Sequence, residues 1–112
     1  MIVNLTRNTD IASHVEIAQD PLTRMKGLLG RRDLPPNNAL VITQCQSIHM
    51  FFMTFPIDVI FCDRQDQVVG LSPGIKPFCL SPVFFKASYA IELPAGSITA
   101  SKTQLGDRLK IQ

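Results

Sequence analysis

The segment Ile57-Asp-Val-Ile-Phe-Cys-Asp-Arg-Gln-Asp-Gln-Val-Val-Gly-Leu71 decides the fold. Ile57 to Cys62 and Gln67 to Leu71 are β-prone runs, and Asp63-Arg-Gln-Asp66 between them is a polar connection of hairpin length, so the segment predicts two paired strands. Similar runs lie on either side. Ile2 to Thr6, His14 to Ala18, Ala39 to Ile42, Ser88 to Leu93 and Arg108 to Ile111 each read as a short strand. Asn8-Thr-Asp10, Pro35-Pro-Asn-Asn38, Pro94-Ala-Gly96 and Leu105-Gly-Asp107 supply turns between them. One helix interrupts the series near residues 21–29. Asp20 can cap it, Pro21 suits its first position, Leu22, Met25, Leu28 and Leu29 form an apolar stripe, and Gly30 is placed to end it. Many short strands with one helix predict a mostly β (α+β) chain, a compact antiparallel β-sandwich or barrel forming a single domain over residues 1–112.

Composition narrows the function classes. With 46% hydrophobic and 18% charged residues, the 112-residue chain can bury a core without disulfide or metal staples. Its 11 basic and 9 acidic residues are scattered, and the one dense basic cluster is Arg31-Arg32, so no nucleic-acid partner is expected. No segment approaches the roughly 20 apolar residues of a membrane helix. The longest candidates are broken by His49, Thr54, Pro56 and Asp58, and membrane insertion is not expected. The start Met-Ile-Val-Asn-Leu-Thr-Arg lacks the basic and apolar regions of a secretion signal, which predicts a cytoplasmic protein. Cys45, Cys62 and Cys79 are odd in number and form no Cys-x-x-Cys pair, so they read as reduced thiols.

Candidate chemistry gathers just upstream of the hairpin. The run from Cys45 to Phe61 sets His49 and Asp58 inside apolar sequence, where each needs either a fixed structural partner or a place at a pocket. His49 could serve as general base or ligand contact, oriented by Asp58 or Glu92, or could be a core histidine bonded to backbone. Residues 47–55 suit either a helix or a strand by periodicity, and Phe51-Phe52 with Pro56 favours a strand buried on both sides. In a strand, Cys45, His49 and Met53 would stand roughly 13 Å apart in succession, too far to share a metal ion, so no metal is expected. Asp58 reads as structural, accepting bonds from backbone N–H groups or pairing with an arginine. Arg24 and Arg31 share a helix face and could meet an anion, or could pair with Asp58, Glu92 or Asp107. Glu92 would project opposite Ile91 and Leu93, a pattern that also fits a solvent face. Ser72 to Lys86, with three prolines, reads as a long loop able to cover a pocket.

Four ordered motifs carry a resemblance. Arg24-Met-Lys-Gly-Leu-Leu-Gly-Arg31, Ile48-His-Met-Phe-Phe-Met-Thr-Phe-Pro-Ile-Asp-Val-Ile-Phe61, Ile91-Glu-Leu-Pro-Ala-Gly96 and Gly106-Asp107 resemble the signature segments of the bacterial and archaeal family called domain of unknown function 192. The resemblance runs from about Val15 to the C-terminus and implies a compact β-rich fold with no established activity. The chain departs from the family pattern at Leu29, at Met50, where a threonine is common, and at Gln67, where a glycine often follows the turn.

No phosphate loop, dinucleotide fingerprint, Gly-x-Ser-x-Gly elbow or His-Glu-x-x-His pair is present, so no cofactor is expected and the usual catalytic classes gain no support. The reading that results is a binding domain. Its polar site around His49, with Arg24, Met53, Asp58 and Glu92 as candidate lining, would hold a small molecule or a peptide segment. The alternatives are an enzyme using His49 as acid or base with a carboxylate partner, and a structural or protein-interaction module.

Overall fold

The structure, a computed structural model, describes residues 1–51 and 53–112. In chain order the elements are β1 (Ile2–Asn4), β2 (Thr9–Ala12), β3 (His14–Ala18), α1 (Pro21–Lys26), β4 (Asn38–Thr43), β5 (Ile57–Cys62), β6 (Val68–Ile75), β7 (Tyr89–Pro94), α2 (Ser97–Ala100) and β8 (Leu109–Ile111). They form two sheets, one ordered β2-β1-β8 and one ordered β3-β4-β7-β5-β6. The result is sandwich-like, with no closed barrel.

The larger sheet is the middle layer. Its central strands β4, β7 and β5 are buried on both faces, and alternation divides their side chains between two clusters. Leu40, Ile42, Ile57, Val59, Phe61 and Ala90 point to one face. Ala39, Val41, Ile60, Cys62, Ile91 and Leu93 point to the other, where Ile2, Ile11 and Leu109 of the small sheet and Ile98 of α2 cover them. The first face has no second sheet. Leu28, Leu34, Ile48, Met50, Met53 and Ala87 cover it instead, from the segments that follow α1 and precede β5 and β7.

The predicted hairpin is β5 and β6, paired antiparallel with Phe61 opposite Gly70. One pair in the sheet is parallel: His14 to Ala18 of β3 run alongside Asn38 to Ile42 of β4. A parallel pair needs a long crossover, and the α1 segment provides it, which brings α1 over the first face.

The helix is shorter than the sequence predicts. The Asp20 carboxylate accepts the Thr23 N–H at 2.9 Å, but Gly27 (φ 49°) already stops the helix, and two further turns carry the chain to Arg31. That early stop turns the expected stripe. Leu28 is buried, whereas Leu22 and Met25 are about three-quarters exposed, at 76% and 74%.

Three other expectations are corrected. Thr9–Ala12 is a strand although Asn8-Thr-Asp10 reads as a turn: the positive φ of Asn8 completes the reversal early, and Thr9 already pairs with Asn4. Ser72 to Ile75 belong to β6 and not to the following loop. Residues 47–51 and 53–55 form no strand beyond one isolated bridge between His49 and Leu80, and Phe52 lies outside the described residues. The segment is extended, with Ile48 and Met50 buried and His49 and Phe51 exposed, so only one side is covered. Its backbone pairs with the following loop through Met50 N to Cys79 O (2.8 Å), Phe78 N to Met50 O (2.7 Å) and Ser81 N to Ile48 O (2.8 Å).

Candidate functional site

A cavity of about 110 Å³ lies between the first face of the large sheet and this irregular cover. Ile42 and Glu92 line it from the sheet, Arg24 to Leu29 from α1 and its exit, and Cys45, Ser47 to Met50 and Met53 from the extended segment. Four of the five residues singled out from sequence thus border one space: Arg24, His49, Met53 and Glu92. Asp58 does not.

Asp58 sits on β5 beside Ile60 on the opposite face, almost fully buried. Its two carboxylate oxygens accept the backbone N–H groups of Gly74 and Ile98, both at 2.8 Å. It ties the end of β6 to the start of α2, and its carboxylate is fully engaged there.

Glu92 is the reverse case. On β7 it alternates with Ile91 and Leu93, as the sequence indicates, but its face is interior and the residue is 5% exposed. Burial pushes its carboxyl up from 4.5 to about 7, with the Arg31 guanidinium opposing. Its Oε2 has no hydrogen-bond partner. Asp107, the third buried acid among the described residues, is satisfied by Asn4 Nδ2 and Arg7 Nε, each at 3.0 Å.

Among the described residues, three buried side-chain polar atoms lack partners: Arg24 Nε, Ser72 Oγ and Glu92 Oε2. Two of the three belong to residues lining this one cavity. Such groups are rare in folded proteins, since an orphaned buried polar atom forfeits its hydration without return.

The arginines find other partners than the acids expected from sequence. Arg24 Nη1 donates to Gln44 Oε1 at 2.8 Å, and Arg31 Nη2 pairs with Glu16 Oε2 at 2.6 Å, joining the α1 exit to β3. His49 is neither a core histidine nor bonded to Asp58. It is exposed, and its ring rests against Phe51 with centroids 5.4 Å apart. Met53 is buried in the cavity wall. No three His, Cys, Asp or Glu side chains among the described residues are grouped so as to hold a metal ion.

Two lining residues escaped the sequence reading. Cys45 reads from sequence as a reduced thiol or a metal ligand too distant from its neighbours, and in the structure its thiol lies in the cavity wall and donates to the Ser47 carbonyl at 3.2 Å. Burial pushes that thiol's pKa up; the Glu92 carboxylate adds to the rise and Arg24 opposes it, so the thiol lies within electrostatic reach of both charges. Gly27 is the other, and a glycine inside the expected helix was the available signal.

The chain belongs to a family of uncharacterised proteins. The chain is a member of DUF192, described as "Uncharacterized ACR", whose pattern matches residues 3–111. It is 36% identical over 116 residues to a UPF0127 protein of Pyrococcus horikoshii, covering 98% of this chain and 97% of that one. A UPF0127 protein of Thermococcus sibiricus is also 36% identical, over 97% of this chain and 73% of its own length. The fold is similar to the crystal structure of a protein of unknown function from Novosphingobium aromaticivorans, with a TM-score of 0.83 at 18% identity over 98% of this chain and 82% of that one.

Proposed function

We propose that the cavity beneath α1 is a binding site for a small molecule or the end of a peptide segment. One observation carries this reading: the buried Glu92 carboxyl oxygen borders the cavity without a hydrogen-bond partner. An apolar residue between Ile91 and Leu93 would avoid the desolvation that Glu92 suffers, so the carboxyl is a liability for folding alone. A ligand that donates to Oε2 would remove that liability and be held in a concave, mainly apolar wall with a few fixed polar atoms.

A thermal-shift screen of wild type and Glu92→Gln against amines, amino acids, organic acids and short peptides tests the reading. A ligand bound selectively by the native state must raise its melting temperature. At least one compound should stabilise wild type and lose that effect in the folded Glu92→Gln protein. Compounds that stabilise both equally would remove Glu92 from the site.

General acid–base catalysis is a second reading, favoured by the Glu92 carboxyl standing near 7, where an acid or base works best at neutral pH. It differs from the sequence-based version in its titrating residue: Glu92, not His49.

A further inference from the structure

Resting on the binding reading above, we infer that the cavity takes a free α-amino acid with an apolar side chain, its ammonium group on Glu92 and its carboxylate on Arg24. The two unpartnered atoms that border the space are of opposite kinds. Glu92 Oε2 asks for a donor and Arg24 Nε asks for an acceptor. Glu92 and Arg24 form no ion pair with each other, and Arg24 engages Gln44 through Nη1 while its Nε is left without a partner.

A simple amine would satisfy Glu92 and leave Arg24 Nε orphaned; a simple acid would do the reverse. A peptide terminus brings only one of the two charges. An α-amino acid carries both a donor and an acceptor group on neighbouring atoms. The Cys45 thiol lines the same cavity as Glu92 and Arg24.

The apolar part of the lining selects the side chain. Leu28, Leu29, Ile42, Ile48, Met50 and Met53 offer hydrocarbon and sulfur, while the polar lining residues Lys26, Ser47 and His49 are exposed and stand toward the solvent side. A polar side chain placed there would lose its hydration without a partner, while an aliphatic one would not. The cavity, about 110 Å³, holds several water molecules and suits a branched aliphatic side chain better than a large aromatic one.

The test uses the full chain with [13C]methyl-methionine, because Met25, Met50 and Met53 all line the cavity and report on it directly. L-leucine, 3-methylbutylamine and 4-methylpentanoate are titrated against wild type, Glu92→Gln and Arg24→Gln. L-leucine should shift the Met50 and Met53 methyls saturably and bind at least about tenfold more tightly than either half-molecule, the factor that one lost charged hydrogen bond gives. Glu92→Gln should weaken L-leucine and leave 4-methylpentanoate unchanged, and Arg24→Gln should weaken L-leucine and leave the amine unchanged. If a half-molecule shifts the cavity methyls as tightly as L-leucine does, the amino-acid inference is overturned while the binding site stands. If none of the three moves the methyls but a compound from the thermal-shift screen does, the inference again falls alone. If nothing moves them, both readings fall.

Discussion

The backbone of Gly27 lies against the carboxyl of Glu92: a β-carbon at Gly27 would stand 3.7 Å from Oε1 and 4.0 Å from Oε2. Helix termination and the buried acid are therefore one feature. Gly27 takes φ +49°, which lets α1 stop after Lys26 and swing Leu28 into the core, and the missing side chain leaves room beside the carboxyl.

Gly27→Ala should disturb both at once. The positive φ with ψ −125° strains an alanine by on the order of 1–3 kcal/mol, and the added methyl narrows the cavity next to Glu92. Urea unfolding should show a loss of that size, and the Met50 and Met53 methyls should respond more weakly to any cavity ligand. Unchanged stability and unchanged ligand response would mean that the turn relaxes freely and that Gly27 guards nothing.

Glu92 should set a pH dependence of stability. Its folded value of about 7 lies above the ordinary 4.5, so between these limits the native state holds a proton that the unfolded state has released. Stability therefore falls as pH rises from about 4.5 to 7 and is flat in this respect above that. The total change is on the order of 3 kcal/mol at most. Glu92→Gln removes the slope and should be the more stable protein at pH 8. Chemical denaturation of both proteins at pH 4.5, 6 and 8 measures this. Parallel curves would show that water or a moving side chain already satisfies the carboxyl.

Much of the fold was legible because hairpin chemistry is local. Asp63 to Asp66 between two β-prone runs suffices to define β5 and β6, and Asp20-Pro21 suffices to start α1. The parallel partner of β3 was not legible, since nothing in His14 to Ala18 distinguishes β4 from any other neighbour. Nor was the sense of burial at Glu92. Alternation with Ile91 and Leu93 correctly separates the two faces of β7, but a period of two cannot say that both faces are interior. For His49 the apolar surroundings in sequence misled: Ile48 and Met50 are buried on one side of an extended segment while His49 turns outward on the other.

Gly70→Ala should be poorly tolerated. Gly70 pairs with Phe61 in the hairpin, and a β-carbon there would come within 2.4 Å of the Phe84 ring, which itself packs on Phe61 with centroids 4.6 Å apart. The ring must leave, exposing Phe61 and loosening the segment ahead of β7. A loss on the order of 2–4 kcal/mol is expected, typical of a disrupted core aromatic contact. Restoration of stability by Phe84→Ala in the Gly70→Ala background, relative to Phe84→Ala alone, would identify the clash as the cause; additive losses would place it elsewhere.

Asp58 and Glu92 are both buried acids on neighbouring strands, and their substitutions should separate structure from site. Asp58→Ala leaves the Gly74 and Ile98 N–H groups without their acceptor, on the face away from the cavity. Each charged hydrogen bond is worth about 1.5–3 kcal/mol, so a loss of roughly 3–5 kcal/mol is expected, with Asp58→Asn intermediate because its carbonyl oxygen can still accept one of the two. Where the Asp58→Asn protein remains folded, its cavity methyls should titrate with any ligand as wild type does, since Asp58 takes no part in the lining. Glu92→Gln should show the opposite pattern, stable yet altered in binding. Weakened ligand response in a folded Asp58→Asn protein would return Asp58 to the site, acting through the sheet that carries Glu92.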